Sequence, residues 1–294
     1  MRTVFKTSYD ADIRLFRHGA QAFWYGALFC AALVLPFVIS NFLVGEATNV
    51  LIWALAGMGL MVLTGQTGLV SLGHTAFLAM GCYVNAILQM KGVPFLAAFP
   101  AAGLAAGFFG VLVAVPALRL HGIYLAIATL AMAVLVEDII VLAEPITGGV
   151  TGLIAPTIVI FGREIDRYGD PILFYYLVLG VVLLVVLAYA NLLRSPLGRT
   201  FAAIRDSEVS AQAMGVHPLK TKASAFAISC AITGLAGALM GHFAGAFNHE
   251  TFNLVIAIEL LLMIVVGGLG SIHGAFFGAV VIGLIPTALA FLRD

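Results

Sequence analysis

Apolar runs recur along this chain, separated by short polar breaks. Runs of roughly twenty apolar residues are what a helix needs to cross the hydrocarbon core of a bilayer. The first run spans 22–44, and 47–63 follows it closely. Further runs occupy 75–90, 95–117, 122–142, 172–193, 223–247 and 254–268, and a last one reaches Leu292. The pattern predicts an all-α fold, a polytopic transmembrane helical bundle of about nine spans forming one domain over 1–294. A polar arm at 1–21 precedes the first span, and two long polar segments, 143–170 and 194–222, interrupt the rest. Two glycine-rich stretches, 65–81 and 265–283, are the expected sites of broken or re-entrant helix. Irregular backbone at membrane depth must be buried in protein or line a cavity.

Composition agrees with the pattern. The chain is 62% hydrophobic and 10% charged, with a mean hydropathy of +1.11, outside the range of a soluble domain. Its net charge is zero, so no bulk attraction to nucleic acid is implied. The 32 glycines suit close helix packing in lipid, as in the pair Gly103 and Gly107 and the row Gly237, Gly241 and Gly245. Cys30, Cys82 and Cys230 each lie inside an apolar run and read as three buried, reduced thiols. No metal-ligand spacing, cofactor motif or catalytic set is present. His242 and His249 lie seven apart, without the partners an intramembrane enzyme needs.

Lys and Arg set the orientation. The 194–222 segment holds Arg194, Arg199, Arg205, Lys220 and Lys222, the arm holds Arg2, Lys6, Arg14 and Arg17, and the 118–121 turn holds Arg119. The opposite breaks hold Lys91, and Arg163 and Arg167 offset by acids. The positive-inside rule places the first three in the cytoplasm and 143–170 outside, in one alternation of spans. Trp24 and Tyr25 are expected at the interface.

Within 194–222, Asp206 or Ser207 can cap a short helix carrying Glu208, Ala211, Ala213 and Met214, which Gly215 stops and Pro218 follows. Two readings fit it: a solvated loop, or a helix built to touch a partner. Gln66, Ser71 and His74 bring polarity into the first glycine-rich stretch, and Glu137, Glu259 and Ser271 into the later spans. They are candidates for a translocation path. The alternatives are a plain turn for the first set and, for Glu137 and its neighbour Asp138, an interfacial position. Gly68–Leu72 and Gly268–Ile272 resemble each other, each with a histidine close by, His74 and His273, and read as a weak internal repeat.

Five ordered segments, 63–88, 118–132, 146–153, 198–241 and 259–281, resemble the permease subunits of branched-chain amino acid ATP-binding-cassette importers, the LivM type in particular. The resemblance implies an inner-membrane transport subunit that is not itself an enzyme and needs no cofactor. It implies separate ATPase subunits docking on 199–222 in the cytoplasm, a second and related permease chain, and a periplasmic binding protein that faces 143–170 and delivers the substrate. It also makes Arg205, Asp206, Ser207, Glu208, Ala211 and Gly215 the coupling residues. The chain departs from the family pattern after Pro286, where members continue with a further span and a basic tail, and nine spans would leave the C-terminus outside. Urea or a short amide is the alternative cargo. An ion-coupled secondary transporter, with Glu137 and Glu259 as its ion groups, is the alternative of another class.

Overall fold

The apolar runs become helices whose ends fall where caps and glycines put them. The structure, a computed structural model, describes residues 19–117, 120, 122–160 and 162–293. Most of the polar arm, and positions 118, 119 and 121 of the basic turn, therefore lie outside the described residues. In chain order the helices are α1 (Gly19–Val38), α2 (Asn41–Thr67), α3 (His74–Met90), α4 (Phe95–Ala117), α5 (Ile123–Leu142) and the short α6 (Glu144–Thr147). After them come β1 (Leu153–Ile154), β2 (Ile158–Ile160) and β3 (Arg163–Ile165), then α7 (Pro171–Arg194), α8 (Pro196–Asp206), α9 (Glu208–Ala213) and α10 (Pro218–Ala244). The chain finishes with β4 (Ala246–Phe247), a 3-10 turn at His249–Phe252, α11 (Leu254–Gly267) and α12 (Ile272–Arg293). Among the described residues six helical stretches are long and apolar enough to cross a membrane, and Phe23–Val38 and Ile272–Gly283 are shorter apolar ones.

The first break falls earlier than the apolar run predicts. Pro36 lies in the last turn of α1, and Ser40, extended at φ −67° and ψ 156°, opens α2. Helix α2 then runs 27 residues and takes in Gly65, Gln66 and Thr67, so the first glycine-rich break is confined to 68–73. The second is confined to 268–271.

Helix α10 is the centre of the bundle. It packs most extensively against α4, α2 and α3, and small residues let the backbones close up. A Cβ on Gly81 of α3 would sit 1.9 Å from the Gly234 carbonyl oxygen, and one on Gly237 would sit 2.0 Å from that of Leu78. Gly103 and Gly107 of α4 face Leu235, Ala231 and Ala227 of α10 in the same way. Gly245 does not continue the packed row. It has open space where a side chain would go, and at φ 77° it ends the helix. Cys82 and Cys230 are buried, whereas Cys30 is exposed on α1, a correction to the expectation of three buried thiols. An apolar run spanning lipid has an outward face as well as an inward one.

The two ends of the bundle differ in kind. One end gathers the 68–73 turn, α8 and α9, and the 268–271 turn. The other carries two antiparallel ribbons outside the all-helical expectation, β2 with β3 and β1 with β4, the latter pairing Leu153 with Phe247 and Ile154 with Ala246. Arg167 is held there, 3.8 Å above the Phe243 ring and donating to the Phe243 carbonyl at 3.2 Å. Basic 194–222 lies at the first end and 143–170 at the second.

Replacing Gly237 with Val is expected to lower stability by about 1–3 kcal/mol, because the α3 backbone blocks the new side chain. Gly180→Ala, with open space around it, is expected to cost nothing. Thermal unfolding of the purified chain in detergent compares the two.

Candidate functional site

The polar segment 194–222 folds into a helical hairpin rather than a loop. Ser195 caps α8, accepting from the Gly198 amide at 3.3 Å, with Pro196 in the first turn. Gly198, Phe201 and Ile204 are buried at helical spacing, and they seat α8 against the ends of α2, α7 and α10. Ser207 then caps α9, accepting from the Ser210 amide at 3.2 Å, so the cap is Ser207 rather than Asp206. At the far end the Val216 amide returns to the Ala211 carbonyl at 3.0 Å, and Gly215 adopts φ 88°.

The coupling candidates sort by direction. Lys222, 3% exposed, donates to Glu208 Oε2 at 2.7 Å and fastens α9 to the base of α10. Ala211 is buried beneath α9. Arg205 reaches back into the bundle, where its Nη1 donates to the Gly65 carbonyl at 2.7 Å. Asp206 and Gly215 are exposed. Outward from α9 stand Val209, 79% exposed, and Met214, 86% exposed. Val209 was not among the expected residues. Its signal was a bulky apolar group in an otherwise polar, water-exposed turn.

The path candidates fall into two sets. Gln66, Ser71, His74 and Ser271 lie at the end of the bundle where the hairpin sits. Glu137, near the end of α5, and Glu259, near the start of α11, are half-buried toward the other end. In the first set, Gln66 donates to Tyr189 Oη at 3.2 Å and to the Gly270 carbonyl at 3.1 Å. Ser271 is exposed and caps the start of α12, accepting from the Gly274 amide at 3.1 Å.

Ser71 and His74 are fully buried and closed on partners. Ser229 Oγ donates to the Gly59 carbonyl at 2.6 Å, so its one proton is committed. His74 Nε2, 2.7 Å from Ser229 Oγ, therefore donates to it. Nδ1 lies 3.1 Å from Ser71 Oγ. Thr129 Oγ1 accepts from the Leu72 amide at 3.1 Å and so ties α5 to the same turn. Nothing in the apolar patterning marked Ser229, Tyr189 or Thr129. Each lies between apolar neighbours in a long helix, with no spacing that sets it apart from the other polar residues there.

At the opposite end Asn85, Gln89 and His242 form a second polar cluster between α3 and α10. His242 Nε2 lies 2.8 Å from Asn85 Oδ1, and the Gln89 amide bonds to Asn85. His242 is thus a hydrogen-bonded residue of the packing. Tyr25, expected at the interface, joins His273 by a hydrogen bond and ring stacking, linking α1 to α12.

Comparison with known proteins closes the question of kinship. A family described as branched-chain amino acid transport system / permease component matches residues 42–293. The high-affinity branched-chain amino acid transport system permease protein LivM of Escherichia coli strain K12 is 34% identical over 93% of this chain and 69% of its own length. A probable LivM of Methanocaldococcus jannaschii is 27% identical over 90% of this chain and 79% of its own length. The permease protein BraD of Pseudomonas aeruginosa is 25% identical over 79% of this chain and 80% of its own length. No solved structure matches. With the matched region taking in α2 through α12, this multi-pass membrane protein belongs to the family of permease components of branched-chain amino acid transport systems.

Proposed function

We propose that the chain is the membrane-spanning subunit of an ATP-driven importer that carries branched-chain or similar hydrophobic amino acids across the inner membrane. The single observation that carries this reading is the capped hairpin: α9 stands at the cytoplasmic end, turns Val209 and Met214 outward, and is fastened to the central helix through Glu208 and Lys222. Apolar side chains held in water on a rigid, anchored support fit a docking surface for a protein partner. That partner is an ATPase subunit, which supplies the hydrolysis this chain does not perform. The α8–α9 hairpin takes its motion and delivers it to α10, so that a rigid-body swing outside becomes a change of access inside.

The assembly holds two such ATPases, a second and related permease chain, and a periplasmic binding protein that brings the amino acid to 143–170. Arg163, Glu164, Asp166 and Asp170 are exposed on that side and steer the encounter, while Arg167 braces the segment against Phe243. Glu137 and Glu259 then lie toward the entry, and Gln66 and Ser271 toward the exit. Ser71 and His74 join the path only when their link to Ser229 opens.

Val209→Glu and Met214→Glu are each expected to weaken ATPase binding by at least about tenfold, the loss that follows from exposing one buried apolar side chain. Co-purification from membranes reads the loss, and unchanged thermal unfolding shows that the permease still folds. Retention of the ATPase by both variants would defeat the docking face. Vesicles holding the whole assembly and its binding protein are expected to accumulate leucine with ATP and to ignore urea. Uptake of urea without leucine would overturn the substrate assignment.

A further inference from the structure

Arg205 belongs to the docking hairpin by position and remains exposed, yet its guanidinium turns back onto the bundle. Its aliphatic stem crosses Gly68, where an added Cβ would lie 3.4 Å from Arg205 Cγ. Its guanidinium ends on the Gly65 carbonyl at 2.7 Å. That carbonyl is in the last turn of α2, where the final four carbonyls of a helix have no partner within it. A cation at this end also meets the negative end of the helix dipole. The bond therefore has a clear chemical reason, and its two ends are 140 residues apart in sequence.

A third element meets them at the same point. Gly270, in the turn between α11 and α12, lies against both groups. A Cβ on Gly270 would stand 3.2 Å from Arg205 Nη1, and one on Gly65 would stand 2.9 Å from the Gly270 amide nitrogen. Gln66 donates to the Gly270 carbonyl, and the Gly270 amide approaches Met61 Sδ at 3.0 Å. Gly270 has φ 88°, a backbone state that leaves its amide and carbonyl free to turn toward α2. The end of α2 and the 268–271 turn are therefore closed on each other, with the guanidinium of Arg205 lying across the seam.

We propose that Arg205 is a positioning residue of the transport cycle, a latch that holds the Gly65–Gly270 seam shut until the hairpin moves. This rests on the reading that α9 docks an ATPase. Displacement of the hairpin withdraws the guanidinium from the Gly65 carbonyl, and the 268–271 turn then parts from α2. The route out for cargo at this end opens at Gln66 and Ser271, which flank the seam. The reverse movement returns the cation to the carbonyl and closes it. Arg205 touches no cargo in this scheme. It links hairpin position to seam closure.

The test uses the full assembly in liposomes and a reporter cysteine at Thr64, which is 8% exposed beside the seam, in a Cys30→Ser background. Arg205→Ala is expected to keep the ATPase on co-purification, while uptake per ATP hydrolysed falls about tenfold, the size of one lost charge-assisted bond. Without ATP, a membrane-impermeant maleimide is expected to label Thr64→Cys about tenfold faster in the Arg205→Ala variant, because the seam is no longer held. Arg205→Lys, which keeps a charge within reach, is expected to restore part of both. Unchanged uptake per ATP and unchanged labelling would overturn the latch. Loss of the ATPase from Arg205→Ala would overturn it too, and would make Arg205 a docking residue. Labelling of the isolated permease needs no ATPase, so unchanged labelling overturns the latch while the docking reading stands, and loss of docking at Val209 and Met214 is read separately by co-purification.

Discussion

The whole arrangement depends on how closely α10 approaches its neighbours. Lipid gives helices no hydrophobic reason to associate, since the acyl chains are as apolar as the side chains. What remains is close packing and the few polar bonds that can form across the contact. Gly81 against Gly234, and Gly237 against Leu78, bring backbones together where any side chain would collide. Once the backbones are that close, short polar groups can reach across. Ser229 of α10 meets both the Gly59 carbonyl of α2 and His74 of α3. The central helix is thus clamped to two neighbours by groups that would have no partner in hydrocarbon.

The same helix continues to the water. Lys222, one turn into α10, is nearly inaccessible and is neutralised by Glu208 of α9. A buried lysine without a partner would be costly, so the pair fixes where the hairpin sits. The hairpin is therefore an extension of the most tightly packed element in the molecule, and force applied to Val209 and Met214 has a short, stiff route into the bundle. At the opposite end the ribbons and the Arg167–Phe243 contact tie the outer segment to the far end of α10.

Much of this was legible beforehand, and the exceptions have physical causes. Helix positions follow from apolar runs, and Ser207 and Gly215 mark the ends of α9 by cap chemistry that acts locally. The direction in which α9 faces is not local. A helix of six residues has too few positions to show a stripe, so the inward turn of Ala211 and the outward turn of Val209 are set by docking on the bundle. Arg205 shows the same limit more sharply: a basic residue in a polar segment gives no sign of the distant carbonyl it binds, and Arg205 reaches that of Gly65 while staying exposed. The β1–β4 ribbon joins two-residue strands far apart in the chain, with no alternation to reveal them. Gly245 shared a spacing with Gly237 and Gly241, yet it serves as a helix end. Among the path candidates, residue type identified polar groups worth attention, but only the fold divides Gln66, Ser71, His74 and Ser271 from Glu137 and Glu259.

The central claim is that hairpin and central helix travel as one body when the ATPase acts. Spin labels at Ala202 of α8 and Ala244 at the far end of α10, both exposed, report it directly by pulsed electron resonance in the assembled transporter. The account predicts the same Ala202–Ala244 distance with and without bound ATP, while the distance from Ala202 to a label at Leu142 on α5 changes. A shift in the Ala202–Ala244 distance on ATP binding would contradict it, because the hairpin would then be moving on its own.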